Sequence, residues 1–334
     1  MNKANKPMHY LRTSALTAAL LASLAAAPAH AWEPTRPVDV VVHTGPGGGN
    51  DLLGRAIVTM MQTEKLLPVR MQILNKTGGN GAVAAAYVAG KNKDSYTLAL
   101  INSVWIANAL TTEEAQVTVH DLKPVAQLVR DPAVIAVRAD SPYKTLHDFI
   151  EDVRAKPSQL KQSGGSITSR DNIVRLSLQS HTHTKWNFVS FPGGGERLSA
   201  LLGGHVDMMV IEPQEAGEQV RAGKLRLLAR LSNDPLPGVG YENVPTLQEA
   251  GYDVTPTPQI RALMAPPDMP DEVVAYWADR FQKLQETDSW KKYVRTNQLE
   301  NDYADAASLK AIITSVEGSM REQYTLAGIK VVRP

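Results

Sequence analysis

The stretch Val38-Asp39-Val40-Val41-Val42-His43-Thr44-Gly45-Pro46-Gly47-Gly48-Gly49-Asn50-Asp51-Leu52-Leu53 decides the reading of the fold. Four of its first five residues are the β-branched valine, in a run too short for a helix, as expected of a buried strand. Beyond the glycines, Leu52, Leu53, Ala56, Ile57, Met60 and Met61 recur at helical spacing, and Asn50 or Asp51 stands where an N-cap is expected. The order is strand, glycine loop, helix. Three residues without Cβ atoms let the loop turn its backbone N–H groups inward, and the helix N-terminus adds partial positive charge, which together suit a small anion. A tight turn that binds nothing has the same local sequence.

Two familiar phosphate-binding patterns fail on spacing. The dinucleotide fingerprint needs glycine at its sixth position, where counting from Gly45 meets Asn50 and counting from Gly47 meets Leu52. The mononucleotide loop needs Gly-Lys-Ser/Thr, and no such tripeptide follows.

Working outward, the plan repeats. Val69 to Leu74 reads as a strand, followed by Asn75-Lys76-Thr77-Gly78-Gly79-Asn80-Gly81 and an alanine-rich helix through Ala89. Thr97 to Ile101 is a third strand ending at Asn102-Ser103, where an open α/β sheet exposes its carboxyl edge and takes its ligands. Val125 to Val129 and Val134 to Val137 are short β-rich runs, and a capping box at Thr145-Leu146-His147-Asp148 opens a further helix. Two more glycine loops follow: Ser163-Gly164-Gly165-Ser166-Ile167-Thr168-Ser169-Arg170-Asp171 and Phe191-Pro192-Gly193-Gly194-Gly195-Glu196. They lead into helical patterns at Ile173 to Leu178 and Leu198 to Leu202, the latter ended by Gly203-Gly204. Met208 to Ile211 and Leu225 to Leu231 read as strands around a helix closed by Gly223, and a proline-rich stretch separates them from a helical C-terminal region. There Leu309, Ile312, Ile313, Val316 and Met320 share one face.

The N-terminus has Lys3, Lys6 and Arg12, then an apolar run from Ala15 to Ala27, then Ala29-His30-Ala31, the pattern of a secretory leader cleaved after Ala31. That run is shorter than the roughly 18 to 20 residues of a transmembrane helix, so an exported, soluble periplasmic protein beginning at Trp32 is expected. The sequence has no cysteine, hence neither disulfides nor a lipidated cysteine anchor. Without the leader, 32 Lys and Arg face 34 Asp and Glu, a balance that argues against nucleic acid as a partner. A 334-residue chain less its leader exceeds what one core usually supports. We expect residues 1–31 as leader, 32–130 with 232–334 as a discontinuous first domain, and 131–231 as a second.

With these loops in order, the whole mature chain resembles the solute-binding proteins of tripartite tricarboxylate transporters, the TctC or Bug family. The stretches that carry the resemblance are Gly47 to Asp51, Gly78-Gly79-Asn80-Gly81-Ala82, Asp94-Ser95-Tyr96-Thr97-Leu98, Gly193 to Val206, Ala222-Gly223-Lys224-Leu225-Arg226 and Val244-Pro245-Thr246-Leu247-Gln248-Glu249-Ala250-Gly251. It implies an α/β periplasmic binding protein of type II, a Venus flytrap of two α/β domains joined by two crossing strands. The loops at Gly47 to Asp51 and Ser163 to Arg170 would face each other and hold one carboxylate of an organic acid through backbone groups and ordered waters. It implies a monomeric receptor rather than an enzyme, with no cofactor or metal, that passes its ligand to one large and one small transmembrane subunit. Two departures bear on ligand identity: His43-Thr44 replaces a frequent aromatic residue before the first loop, and Asp171-Asn172 stands where many members have histidine.

The candidate ligand-binding residues are Thr44, Gly47, Gly48, Gly49, Asn50, Asp51, Asn102, Ser103, Trp105, Ser163, Gly164, Ser166, Thr168, Ser169, Arg170, Gly193 and Gly194. Arg170 offers a planar fork of donors that matches a carboxylate, or equally an internal pair with Asp171 or Glu212. Asp51 fits a helix cap better than a ligand contact, because a carboxylate beside a bound carboxylate is unfavourable. Trp105 either covers the ligand or fills core. His181-Thr182-His183 supplies only half a metal site. Gly-x-Ser-x-Gly does not occur, which disfavours an exported hydrolase, while a module that presents a ligand to a membrane sensor would share the receptor's fold and cleft.

Overall fold

Strands β1 (Val38–Val42), β2 (Met71–Asn75) and β3 (Thr97–Asn102) lie parallel, with β1 in the middle. The expected β-α alternation produces this order: helix α1 (Gly49–Thr63) follows β1, α2 (Ala82–Ala89) follows the loop after β2, and α3 (Ser103–Thr111) follows β3. Helix α1 buries Leu53, Ile57, Met60 and Met61, the stripe read from its spacing. Parallel strands need such crossovers, and their burial on both faces explains why every residue of β3 is inaccessible.

The structure is a computed structural model that describes residues 1, 32–113, 115–191, 193–232, 235–236, 238–254, 256 and 259–333. Residues 34–334 form one compact unit. The expected leader and the expected cleavage point after Ala31 fall on residues 2–31, outside the described residues.

Two mixed sheets build this unit, and neither closes into a barrel. Beyond β3 the first sheet continues with β10 (Ile260–Ala265), β4 (Lys123–Arg130) and β11 (Ala304–Asp305), all antiparallel to their neighbours, giving the order β11-β4-β10-β3-β1-β2. The second sheet has the order β7-β6-β8-β5-β9. Here β6 (Lys161–Gly164) lies parallel to β7 (Asn187–Ser190) and β8 (Met208–Ile211), whereas β5 (Val134–Arg138) is antiparallel to β8 and β9 (Leu225–Arg230). Its helices are α4 (Leu146–Ala155), α5 (Arg170–Thr182), α6 (Gly194–Leu202) and α7 (Pro213–Arg221). Gly204, at φ +72°, ends α6 in the left-handed conformation that glycine adopts without strain.

The chain passes from the first sheet to the second between β4 and β5, at Asp131, close to the crossing expected near Arg130. The return is later than expected. Leu231, Leu247 and Tyr252 pack with Phe149 and Trp186 on one side of the five-stranded sheet, and Leu236 and Tyr241 pack with Met209 and Ile211 on the other. The chain therefore re-enters the first sheet at β10, not at Leu231. Helices α8 (Asp271–Glu286), α9 (Asp288–Thr296) and α10 (Ala306–Leu326) complete the six-stranded half. On α10, Leu309, Ile313, Val316, Met320 and Tyr324 are buried against Ile101, Ile260 and Met264, with Ile312 at the margin.

The box at the start of α4 forms in both directions: Asp148 N donates to Thr145 Oγ1 (3.1 Å), and Thr145 N donates to Asp148 Oδ2 (2.9 Å). Thr145→Ala removes the acceptor for one orphan N–H and should cost about 1 kcal/mol. A lower urea midpoint with an unchanged slope is the expected readout.

Candidate functional site

All six parallel strands point their carboxyl ends into one cavity of about 390 Å³. From the six-stranded sheet come His43, Thr44, Gly48 and Gly49 after β1, Thr77 to Gly81 after β2, and Asn102 with Val104 at the end of β3. From the five-stranded sheet come Gly165, Ser166, Ser169 and Arg170 after β6, Phe191, Gly193 and Gly194 after β7, and Glu212 after β8. Strand carboxyl ends are where α/β sheets leave room between diverging connections.

The first loop is held from outside the cavity. Gly47 has φ +80°, and its N–H donates to Asp51 Oδ2 (3.0 Å). Asn75 Nδ2 reaches Asp51 Oδ1 (2.9 Å), and Arg55 pairs with the same carboxylate across one helical turn (2.9 Å). Burial alone would raise the Asp51 carboxyl, but the bonds from Arg55, Asn75 and Gly47 outweigh it and hold it below the ordinary carboxylate range. Neither Asn50 nor Asp51 is the N-cap. Gly48 takes that position, so the helix starts earlier than its apolar stripe suggested, and Asp51 closes the loop from the third helical residue. Asn50 is also turned inward, donating to the Leu100 carbonyl (2.8 Å) and accepting from Arg261.

Several other candidate residues lie behind the cavity wall. Ser103 accepts from Ile260 N (3.2 Å), tying α3 to β10. Trp105 is core, and its Nε1 donates to His43 Nδ1 (2.9 Å) with the two rings edge to face. Ser163 and Gly164 belong to β6 itself, where a Cβ on Gly164 would meet the Phe188 ring at 2.2 Å. The Thr168 carbonyl accepts from Tyr324 Oη (2.9 Å), a bond from α10 to the loop before α5. Thr44, Gly48, Gly49, Asn102, Ser166, Ser169, Arg170, Gly193 and Gly194 do line the cavity. His181 stacks edge-on against Tyr252, and His183 ends α5 in the left-handed conformation. Among the described residues no three potential ligands cluster around a metal-sized space.

Seven buried ionisable side chains form the cavity's polar floor and its support. Arg170 donates to the Asp131 carbonyl (2.6 Å) and to Glu212 Oε1 (3.0 Å). Arg197 donates to Asp171 Oδ2 (3.1 Å) and to Glu215 Oε2 (2.8 Å). Arg261, on β10, pairs with Asp131 Oδ2 through Nε (2.9 Å) and lies 3.9 Å from Glu212. Glu215 Oε1, on α7, accepts from the Gly49 N–H at the start of α1 (2.7 Å), joining the two sheets' loops. Burial would raise Glu212, but Arg170, Arg197 and Arg261 together bring it below its ordinary value. Burial pushes Asp131 up against the pull of Arg261, and it pushes Glu215 up to about 7, with Arg197 opposing.

Sequence reasoning missed Arg197, Glu215, Gln259 and Arg261. No local signal marks them, because Arg197, Glu215 and Arg261 are ordinary helix or strand residues, and Gln259 the residue before β10, until the sheets are placed. Thr77 to Gly81 carried a usable signal, since that loop repeats the plan of the first.

A family model for the tripartite tricarboxylate transporter family receptor, TctC, matches residues 56–324. The chain belongs to this family. A relative from Cupriavidus necator, the UPF0065 protein in gbd 5'region, is 28% identical over 96% of this chain and 98% of its own length. Among solved structures, R. palustris Rpa4515 with adipate superposes with a TM-score of 0.83 at 24% identity, covering 89% of this chain and 99% of that one. MatC from Rhodopseudomonas palustris with bound malate gives 0.78 at 24% identity, covering 87% and 99%. TctC proteins are solute-binding receptors, not enzymes, and the periplasmic binding protein fold of these neighbours is the fold described above.

Two outcomes follow from the geometry. Both of Arg170's partners are internal, so Arg170→Ala leaves Glu212 buried without its nearest cation and should destabilise the empty protein by about 3–5 kcal/mol in denaturant melts. His43 is held neutral by burial and by Arg261, its pKa brought from 6.5 to about 3. A folded value below the unfolded one means that this contribution is complete above pH 6.5 and is lost as pH falls toward 3. The stability of His43→Gln should accordingly fall less steeply over that interval than that of the parent protein.

Proposed function

We propose that this chain is a periplasmic receptor that captures a small organic carboxylate in the cavity between its sheets and delivers it to a tripartite tricarboxylate-type transporter. The observation that carries the reading is the pairing of glycine loops with three buried guanidiniums around a cavity of about 390 Å³, in which a carboxylate already sits on the Gly49 N–H. Backbone N–H groups at a helix N-terminus suit the oxygens of an anion, and the guanidiniums, fixed by their carboxylate partners, offset the negative charge gathered at the cavity floor. The neighbours with adipate and with malate support the same ligand class.

In this reading residues 1–31 are removed on export. The domains are 32–130 with the chain from about 260 onward, and 131 to about 254, since the stretch after Leu231 packs on the five-stranded sheet. The cavity-lining members of the candidate set other than Arg170 contact ligand, Arg170 steadies Glu212 from within the wall, and Gly47, Asn50, Asp51, Ser103, Trp105, Ser163, Gly164 and Thr168 hold the loops in place. The receptor acts as a monomer and docks on one large and one small transmembrane subunit.

A thermal-shift screen of mono-, di- and tricarboxylates tests this. A ligand bound only by the folded state stabilises it by RT ln(1 + [L]/Kd), about 2.7 kcal/mol at one hundred times Kd. Carboxylates should raise the melting temperature where sugars and amines do not, and the opposite pattern would remove the ligand class. N-terminal sequencing of periplasmic material should begin at Trp32.

A further inference from the structure

We propose that Glu215 holds the ligand-carboxylate position in the empty protein, and that an organic acid binds by taking its place on the Gly49 N–H while Glu215 takes up one proton from solvent. This rests on the carboxylate reading above.

The first support is positional. Glu215 projects from α7 of one half and seats one oxygen on the N-terminus of α1 of the other (2.7 Å), the contact that suits a bound anion. Its side chain is 4% exposed, and its second oxygen is held by Arg197 (2.8 Å). The wall leaves room for it: a Cβ on Gly194 would meet both Glu215 oxygens at 2.9 Å.

The second support is a count of charge. The carboxylates of Asp131, Asp171, Glu212 and Glu215 are buried with the guanidiniums of Arg170, Arg197 and Arg261, one anion in excess. Asp131 has Arg261 and the Gln214 amide, Glu212 has Arg170, and Asp171 has Arg197 and the Gly165 N–H. Glu215 shares Arg197 with Asp171 and otherwise depends on Gly49 alone. It is the carboxylate whose contacts a ligand can replace. The groups facing it are Arg197 from α6, Glu212 at the start of α7, Arg261 from β10 and Asp131 between the sheets. Burial raises Glu215 to about 7, so the proton it needs is available near neutrality.

The exchange conserves charge. A ligand carboxylate enters, the Gly49 N–H bond passes from Glu215 to a ligand oxygen, and a solvent proton forms an O–H on Glu215. A buried site that kept both anions would carry two in excess. Above pH 7, where Glu215 is ionised, each carboxylate must bring a proton, and affinity falls about tenfold per pH unit. Below pH 7 the proton is already present and affinity levels off.

Calorimetric titration with acetate, malate and adipate, from pH 6 to pH 8.5 and in buffers of different ionisation enthalpy, tests this on the parent protein and on Glu215→Gln. The parent should take up nearly one proton per acid at pH 8.5 and almost none at pH 6. Glu215→Gln should bind with little pH dependence and, at pH 8.5, at least tenfold more tightly than the parent. The parent's proton uptake decides the matter even if the variant fails to fold. Equal affinities at every pH with no proton uptake would overturn the exchange and leave the carboxylate reading standing. Loss of the pH dependence in Asp131→Asn but not in Glu215→Gln would overturn the assignment to Glu215. Failure of all three acids to bind either protein at any pH would overturn the carboxylate reading itself, and the exchange with it.

Discussion

The pairing of Arg261 with Asp131 is the constraint on which the rest of the site depends. Arg261 lies on β10, the strand by which the chain re-enters the six-stranded sheet, and Asp131 lies where the chain leaves that sheet. Both are almost wholly buried, so each charge needs the other, and neither connection between the sheets can shift without exposing a group that has lost its partner. From this pair the network spreads: Arg261 to Asn50 of the first loop, Asp131 to Gln214 and through its carbonyl to Arg170, and Arg170 to Glu212.

Such a network is an unusual lining for an anion site. Guanidiniums that would meet a ligand directly on a bare surface are here already occupied by side-chain carboxylates. The field at the cavity floor is therefore close to balanced, and under the proposed exchange selection falls to backbone N–H groups and to the carboxylate that is displaced. His43 fits the same pattern. Its Nδ1 accepts from Trp105, and its pKa is far below neutrality, so it lines the cavity as a neutral ring and adds no cation.

The two halves contribute to the cavity in parallel ways. In each, a central parallel strand is flanked by two more, and two of the three connections that leave the carboxyl ends carry glycine where the backbone must come close. Glycine at 49 and at 194 serves less to free the backbone than to leave space for the side chains opposite, Arg261 and Glu215. Tyr324 adds a tie of a different kind, from the C-terminal helix of the six-stranded half to the Thr168 carbonyl of the other.

Much of this was legible in the sequence because it is local. The alternation of β-branched runs, glycine loops and periodic helices reports which elements form and in what order, since strand and helix periodicities follow from backbone geometry. The loops at Gly47 to Gly49, Ser163 to Arg170 and Gly193-Gly194 could be named for the same reason, and so could the capping box at Thr145. What one face of a loop touches is not local. Trp105 became core, Asp51 a brace behind its loop, and Arg170 an internal partner, because each meets residues tens or hundreds of positions away. Arg197, Glu215 and Arg261 carry no mark in their own neighbourhoods. Only the tertiary structure decided their role, since the cost of burying charge is fixed by which opposite charges the fold brings within a few ångströms.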